Sequence, residues 1–197
     1  MFSSFFKPFY YLICLIIIFT IFISCFFTPF ISDEEILKRL ANTEIFISQY
    51  GFAWPIPGYS NITSPFGKRN SPTAGASSFH KGIDIGAPEG TILIAAIDGV
   101  ITYVGFLGGG GYTITLSKDN MKITYCHVSP IFLVHVGDEV QRGQVIGQVG
   151  PKYVYGVKGN IYHDSNGIPT NGATTGCHLH LGIRVNDEYV NPLDYFY

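Results

Sequence analysis

The residues of this chain that can do chemistry are its histidines and one aspartate beside them. His80 and Asp84 stand in the segment FHKGIDIG, directly after a loop rich in Ser, Gly and Ala. His178 and His180 alternate in GCHLHLGIR, and residues two apart on a strand project from the same face of the sheet. Two imidazoles on one sheet face, joined by a histidine and a carboxylate from a distant segment, are the ligand types of a hydrolytic zinc site. Such a site takes three protein ligands and keeps a fourth position open for water. A lone histidine, or an isolated His-x-His pair, is commonly a structural feature of a strand. The combination with His-x-x-x-Asp is what points to metal. His135 and His163 have no patterned partner and read as surface positions.

The elements that must position these residues are short strands. The 197 residues include 23 Gly, 11 Pro, 13 Tyr and 16 Phe, a composition suited to strands joined by tight turns. Residues 91–96, 100–106, 112–116, 122–128, 144–149 and 178–185 are rich in β-branched side chains and separated by Gly or Asp-Asn, so each is predicted to be a strand. The fold class is mainly β, an antiparallel sheet or barrel-sandwich-like domain, since the spacings leave no room for βαβ crossovers. One long irregular stretch, 151–175, is expected to flank a groove. Its Asp164, Asn166 and Gly167 lack the spacing and terminal Glu of a calcium loop and read as an ordinary turn. Glycines 108–111 read as a flexible hairpin edge. With 12 Lys+Arg against 14 Asp+Glu, the formal charge is −2, which excludes nucleic-acid binding through a broad basic surface.

Phe9 to Thr28 is a run of twenty residues without a charge. As a helix rising about 1.5 Å per residue it matches the hydrocarbon thickness of a bilayer. It is therefore expected to be an uncleaved, single-pass membrane anchor. Lys7 precedes it and Asp33, Glu34 and Glu35 follow, which places everything after residue 30 outside the cytoplasm. Ser32 and Glu35 have capping-box spacing, so a short helix over about 33–48 is predicted. The expected organisation is a cytoplasmic tip and anchor at 1–30, a helical spacer at 31–53 and the β domain at 54–197.

From about Trp54 onward the chain resembles the M23 family of zinc metallopeptidases, the lysostaphin-like or LytM-like enzymes. The resemblance rests on ITSPFGKR (62–69), HKGIDIGAPEGT (80–91), AAIDGVITYVG (95–105), ITYCHVS (123–129), VGDEVQRGQVIGQVG (136–150), TGCHLHLGIR (175–184) and VNPLDYF (190–196), in that order. It implies that His80, Asp84 and His180 hold Zn²⁺ and that His127 and His178 are the two catalytic, non-ligand histidines. It also implies hydrolysis of peptide bonds in peptidoglycan stem peptides or cross-bridges, with peptidoglycan as the partner. The alternative function is a catalytically inactive scaffold that binds peptidoglycan or activates another hydrolase. A biotinyl or lipoyl carrier reading, built on VGDEVQRGQVIGQVG and the Met121-Lys122 pair, leaves the histidines unexplained.

One departure from the family pattern is Cys177, which stands where Pro is usual. Cys126 likewise adjoins His127. Neighbours of site-facing strand residues point away from the site, so both thiols are expected behind the catalytic floor, either as a Cys126–Cys177 disulfide or as two buried free thiols.

Overall fold

The computed structural model describes residues 44–197. The anchor expected at 9–28 and most of the expected spacer helix lie outside these residues. The described part of that spacer is not helical: Ile47 bridges Ala53, and the Ser48 hydroxyl donates to the Tyr195 carbonyl oxygen at 2.7 Å. Partners six and 147 residues away, absent from any local pattern, hold this segment extended. Among the described residues no helix is long and apolar enough to cross a membrane.

The strands are β1 (Ile62–Ser64), β2 (Gly67–Lys68), β3 (Phe79–His80), β4 (Ile83–Gly86), β5 (Ile92–Ile94), β6 (Gly99–Phe106), β7 (Tyr112–Lys118), β8 (Met121–Cys126), β9 (Glu139–Val140), β10 (Val145–Gln148), β11 (His178–Val185) and β12 (Glu188–Val190). A single turn of helix, α1 (Leu193–Phe196), closes the chain. An eight-stranded sheet runs in the order β1-β4-β11-β8-β7-β6-β9, with β12 added beside β11. The pairs β10-β5 and β2-β3 form two small ribbons, and every named pairing is antiparallel. All six predicted strands are present, because the alternation that predicted them also buries one face of the sheet.

Ile83 and Ile85 on β4, Leu179, Leu181 and Ile183 on β11, and Ile123 and Tyr125 on β8 are all fully buried on that inner face. Each such aliphatic side chain contributes about 1.5–3 kcal/mol relative to exposure. The Tyr125 hydroxyl accepts the Ala96 N–H at 2.8 Å, and burial pushes its phenol above the usual range. The residues between the apolar ones face the other way and form the floor of the site. Register fixes their neighbours: His180 lies opposite Asp84 on one side and opposite Cys126 on the other.

The thiols follow the free-thiol alternative, but their placement departs from expectation. Cys126 and Cys177 are both free, and both line the groove on the site face instead of lying behind its floor. Cys126 is paired across from His180 and therefore shares its face. His127 breaks the alternation because its φ is 58°, a left-handed backbone that swings its ring back to the side its neighbour already occupies. Cys177 precedes the first residue of β11 and is not bound by the strand's alternation.

Candidate active site

His80 and Asp84 flank a turn whose geometry requires glycine. A Cβ on Gly82 would overlap the Leu181 carbonyl oxygen and come within 2.9 Å of the His180 ring. With that approach open, three atoms from three strands converge. His80 Nε2 lies 3.1 Å from Asp84 Oδ1 and 2.9 Å from His180 Nδ1, and His180 Nδ1 lies 2.8 Å from Asp84 Oδ1. A tetrahedral zinc with bonds of about 2.0–2.1 Å spaces its ligand atoms about 3.3 Å apart. The triangle fits that ion to within about half an ångström.

The donor chemistry points the same way. His80 Nδ1 donates to the Pro65 carbonyl oxygen at 2.8 Å, and His178 Nδ1 donates to the Gly176 carbonyl oxygen at 2.9 Å. A carbonyl only accepts, so each neutral ring carries its proton on Nδ1 and presents a lone pair from Nε2. These lone pairs face Asp84 Oδ1, from 3.1 Å for His80 and 3.5 Å for His178. Burial works to raise the Asp84 pKa, but the imidazoles of His178, His180 and His80 outweigh it and hold the carboxyl far below the usual range. Without metal these nitrogens lower the Asp84 pKa only by taking up a further proton and donating it to the carboxylate, and a bound zinc would take the place of those protons between the same atoms. His80, Asp84 and His180 are the group able to hold a metal among the described residues.

His127 and His178 pack beside this triangle, their ring centroids 4.7 Å apart and their planes tilted by 53°. His127 Nδ1 donates to the Asn171 carbonyl oxygen at 2.7 Å, which leaves Nε2 as a free base. Burial, reinforced by the nearby His178 and His180 rings, pulls the His127 pKa down to about 3. Burial also lowers His180. Burial pushes the Cys126 thiol up to about 12, so this groove-lining sulfur is no nucleophile. His135 and His163 are absent from the groove lining.

Two residues escaped the sequence reading. Arg69 Nη1 donates to Asp84 Oδ2 at 3.1 Å and to Ser64 Oγ at 2.6 Å, so each carboxylate oxygen has its own task. Asn171, fully buried, accepts the Tyr112 N–H through Oδ1 at 2.7 Å and donates through Nδ2 to the Val128 carbonyl oxygen at 3.0 Å. It thereby ties the start of β7 to the backbone just after His127. The Arg ending ITSPFGKR was a visible signal; the Asn-Gly pair at 171–172 looked like an ordinary turn.

The cluster opens into a groove of about 780 Å³, flanked by Ala173 and Thr175 of the long loop and by Gly109 and Gly110. The family model for Peptidase family M23 matches residues 78–192, more than half of the chain. The chain belongs to peptidase family M23. This M23 domain is 35% identical over 136 residues to the DD-carboxypeptidase/endopeptidase Mpg of Neisseria meningitidis, covering 68% of this chain and 27% of that protein. The chain spans only about a quarter of the length of the curated relatives it matches first. A zinc-containing peptidase from Vibrio cholerae superposes with a TM-score of 0.56 at 26% identity, covering 76% of this chain and 39% of that one. The catalytic domain of the antimicrobial peptidase lysostaphin from Staphylococcus simulans gives 0.55 at 26% identity, covering 69% and 91%.

Proposed function

We propose that this chain is a zinc-dependent endopeptidase that hydrolyses peptide bonds in peptidoglycan stem peptides or cross-bridges. The observation that carries the reading is the convergence of His80 Nε2, Asp84 Oδ1 and His180 Nδ1 at one point of an open groove. These three residues would hold the metal. Zinc, when bound, supplies a Lewis acid that lowers the pKa of water toward about 7 and polarises a carbonyl oxygen.

The chain's own residues account for the proton traffic. His127 and His178 each donate Nδ1–H to a backbone carbonyl, which leaves Nε2 as the ring nitrogen available to the groove. Either ring can take a proton from the attacking water, and in its cationic form can stabilise the oxyanion or protonate the leaving amine. The water oxygen bonds to the carbonyl carbon, the C–N bond breaks, and the proton ends on the amine. Asp84 serves as a carboxylate, with Oδ1 toward the metal cluster and Oδ2 accepting from Arg69.

The apolar run Phe9 to Thr28 is the membrane anchor in this reading, with the peptidase domain outside the cytoplasm and facing the wall. The intact donor set supports an enzyme over an inactive scaffold. Full-length chain in detergent, incubated with purified peptidoglycan, is expected to release new amines with zinc, to stop with chelator and to resume when zinc is restored. No release by zinc-loaded protein would favour the scaffold.

A further inference from the structure

The floor of the groove continues beyond the metal cluster along β11. Residues 178, 180, 182 and 184 share one face of that strand. Across from them on β8 lie Cys126, Thr124 and Lys122, opposite His180, Gly182 and Arg184 respectively. On β12, Tyr189 lies opposite Arg184. At about 3.4 Å per residue, Gly182 is about 7 Å and Arg184 about 14 Å from His180 along the strand. Gly182 keeps this path open: a Cβ there would sit 3.2 Å from the Lys81 carbonyl oxygen and 3.7 Å from the Tyr189 ring.

This end of the groove is cationic. Lys81 and Tyr189 line it, with Lys81 Nζ 5.0 Å from the centre of the Tyr189 ring and Arg184 Cζ 5.4 Å from the same centre. Arg184 Nε is buried without a hydrogen-bond partner. Lys122 is matched by Asp187 at 2.6 Å. Among the described residues no carboxylate reaches ion-pair distance of Lys81. Three cations, Lys81, Lys122 and Arg184, thus face one acid in a chain whose overall charge is −2. Glu188 offers no compensation, because it alternates with Tyr189 and faces the opposite side of the sheet. The residues lining the opposite end, Leu107, Gly109, Ala173, Gly176 and Cys177, carry no charge, and Lys152 near Cys177 is matched by Asp164 at 3.9 Å.

We propose that Lys81, backed by Arg184 behind the Tyr189 ring, is a carboxylate-binding subsite that orients an anionic peptide across the metal cluster. The inference rests on reading the groove as a peptide site. The ligand chemistry is a peptide bearing a free carboxylate, from an acidic side chain or a chain terminus, a few residues from the bond held at His180. An extended peptide advances about as fast as the strand beneath it, so a carboxylate two to four residues along reaches Lys81. The uncharged end leaves the reverse orientation without an equivalent partner.

The test compares native peptidoglycan with peptidoglycan whose free carboxylates have been amidated by carbodiimide and ammonia. Zinc-loaded full-length protein is assayed for amine release and for co-sedimentation with each wall, as wild type, Lys81→Met and Lys81→Arg, with zinc content measured throughout. Wild type is expected to favour the native wall by about three- to tenfold in both readouts. Lys81→Met brings the ratio toward one at unchanged zinc content, and Lys81→Arg keeps it. A Lys81→Met ratio equal to that of wild type, or a wild type indifferent to amidation, overturns the subsite. If wild type releases no amines from either wall, the hydrolase reading fails, and the sedimentation ratios alone judge the subsite.

Discussion

Asp84 divides its two oxygens between the metal cluster and Arg69. Arg69 therefore positions a metal-facing carboxylate, a role in which loss of the outer partner commonly lowers metal affinity by about 10–100-fold. Arg69→Met is expected to weaken zinc binding by that order in a competition titration with a chromophoric chelator, and an unchanged affinity would show Arg69 to be only structural. Asn171 acts one step further out. Asn171→Ala leaves the half-buried Tyr112 N–H and the Val128 carbonyl oxygen without their partner, a loss of about 1–3 kcal/mol that denaturant titration can measure. The same variant keeps the backbone carbonyl that His127 Nδ1 meets but loosens the loop that places it, so turnover is expected to fall more than zinc content does. Neither residue could be assigned from the sequence, because each acts through partners that only the fold brings close: Asp84 lies 15 residues from Arg69, and Tyr112 lies 59 from Asn171.

At the scale of elements, six strands were legible because their inner faces are apolar at every second position, and His178 and His180 share a face as that period requires. The same rule misplaced Cys126. It assumes an unbroken strand, and β8 ends at Cys126, after which His127 adopts a positive φ. The spacer was misread over 44–48 for a different reason, since Ser48 is held by Phe52 and Tyr195 and not by its own helical neighbours. One tight element contact at the site is that of the turn between β3 and β4 with β11. Gly82→Ala forces that turn off the Leu181 carbonyl and the His180 ring, so stability is expected to drop by about 1–3 kcal/mol and zinc affinity to fall with it. Thermal unfolding followed with and without zinc checks both; a fully stable, zinc-tight variant would show that the turn is looser than the contact implies.

The molecule as a whole combines a β domain that builds one site with an apolar run long enough to span a bilayer. If that run is an anchor, the full-length chain sediments with membranes, resists extraction by alkaline carbonate and is digested by protease added outside spheroplasts. Release by carbonate alone would remove the anchor from the reading. Within the domain, everything proposed depends on zinc being held by His80, Asp84 and His180, with His127 and His178 beside it as bases. Elemental analysis of folded, zinc-loaded full-length protein tests this directly. One zinc per chain is expected in wild type, in His127→Ala and in His178→Ala, and none in a folded His180→Ala. A wild type that binds no stoichiometric zinc, or a His178→Ala variant that empties while His180→Ala stays loaded, would contradict the assignment.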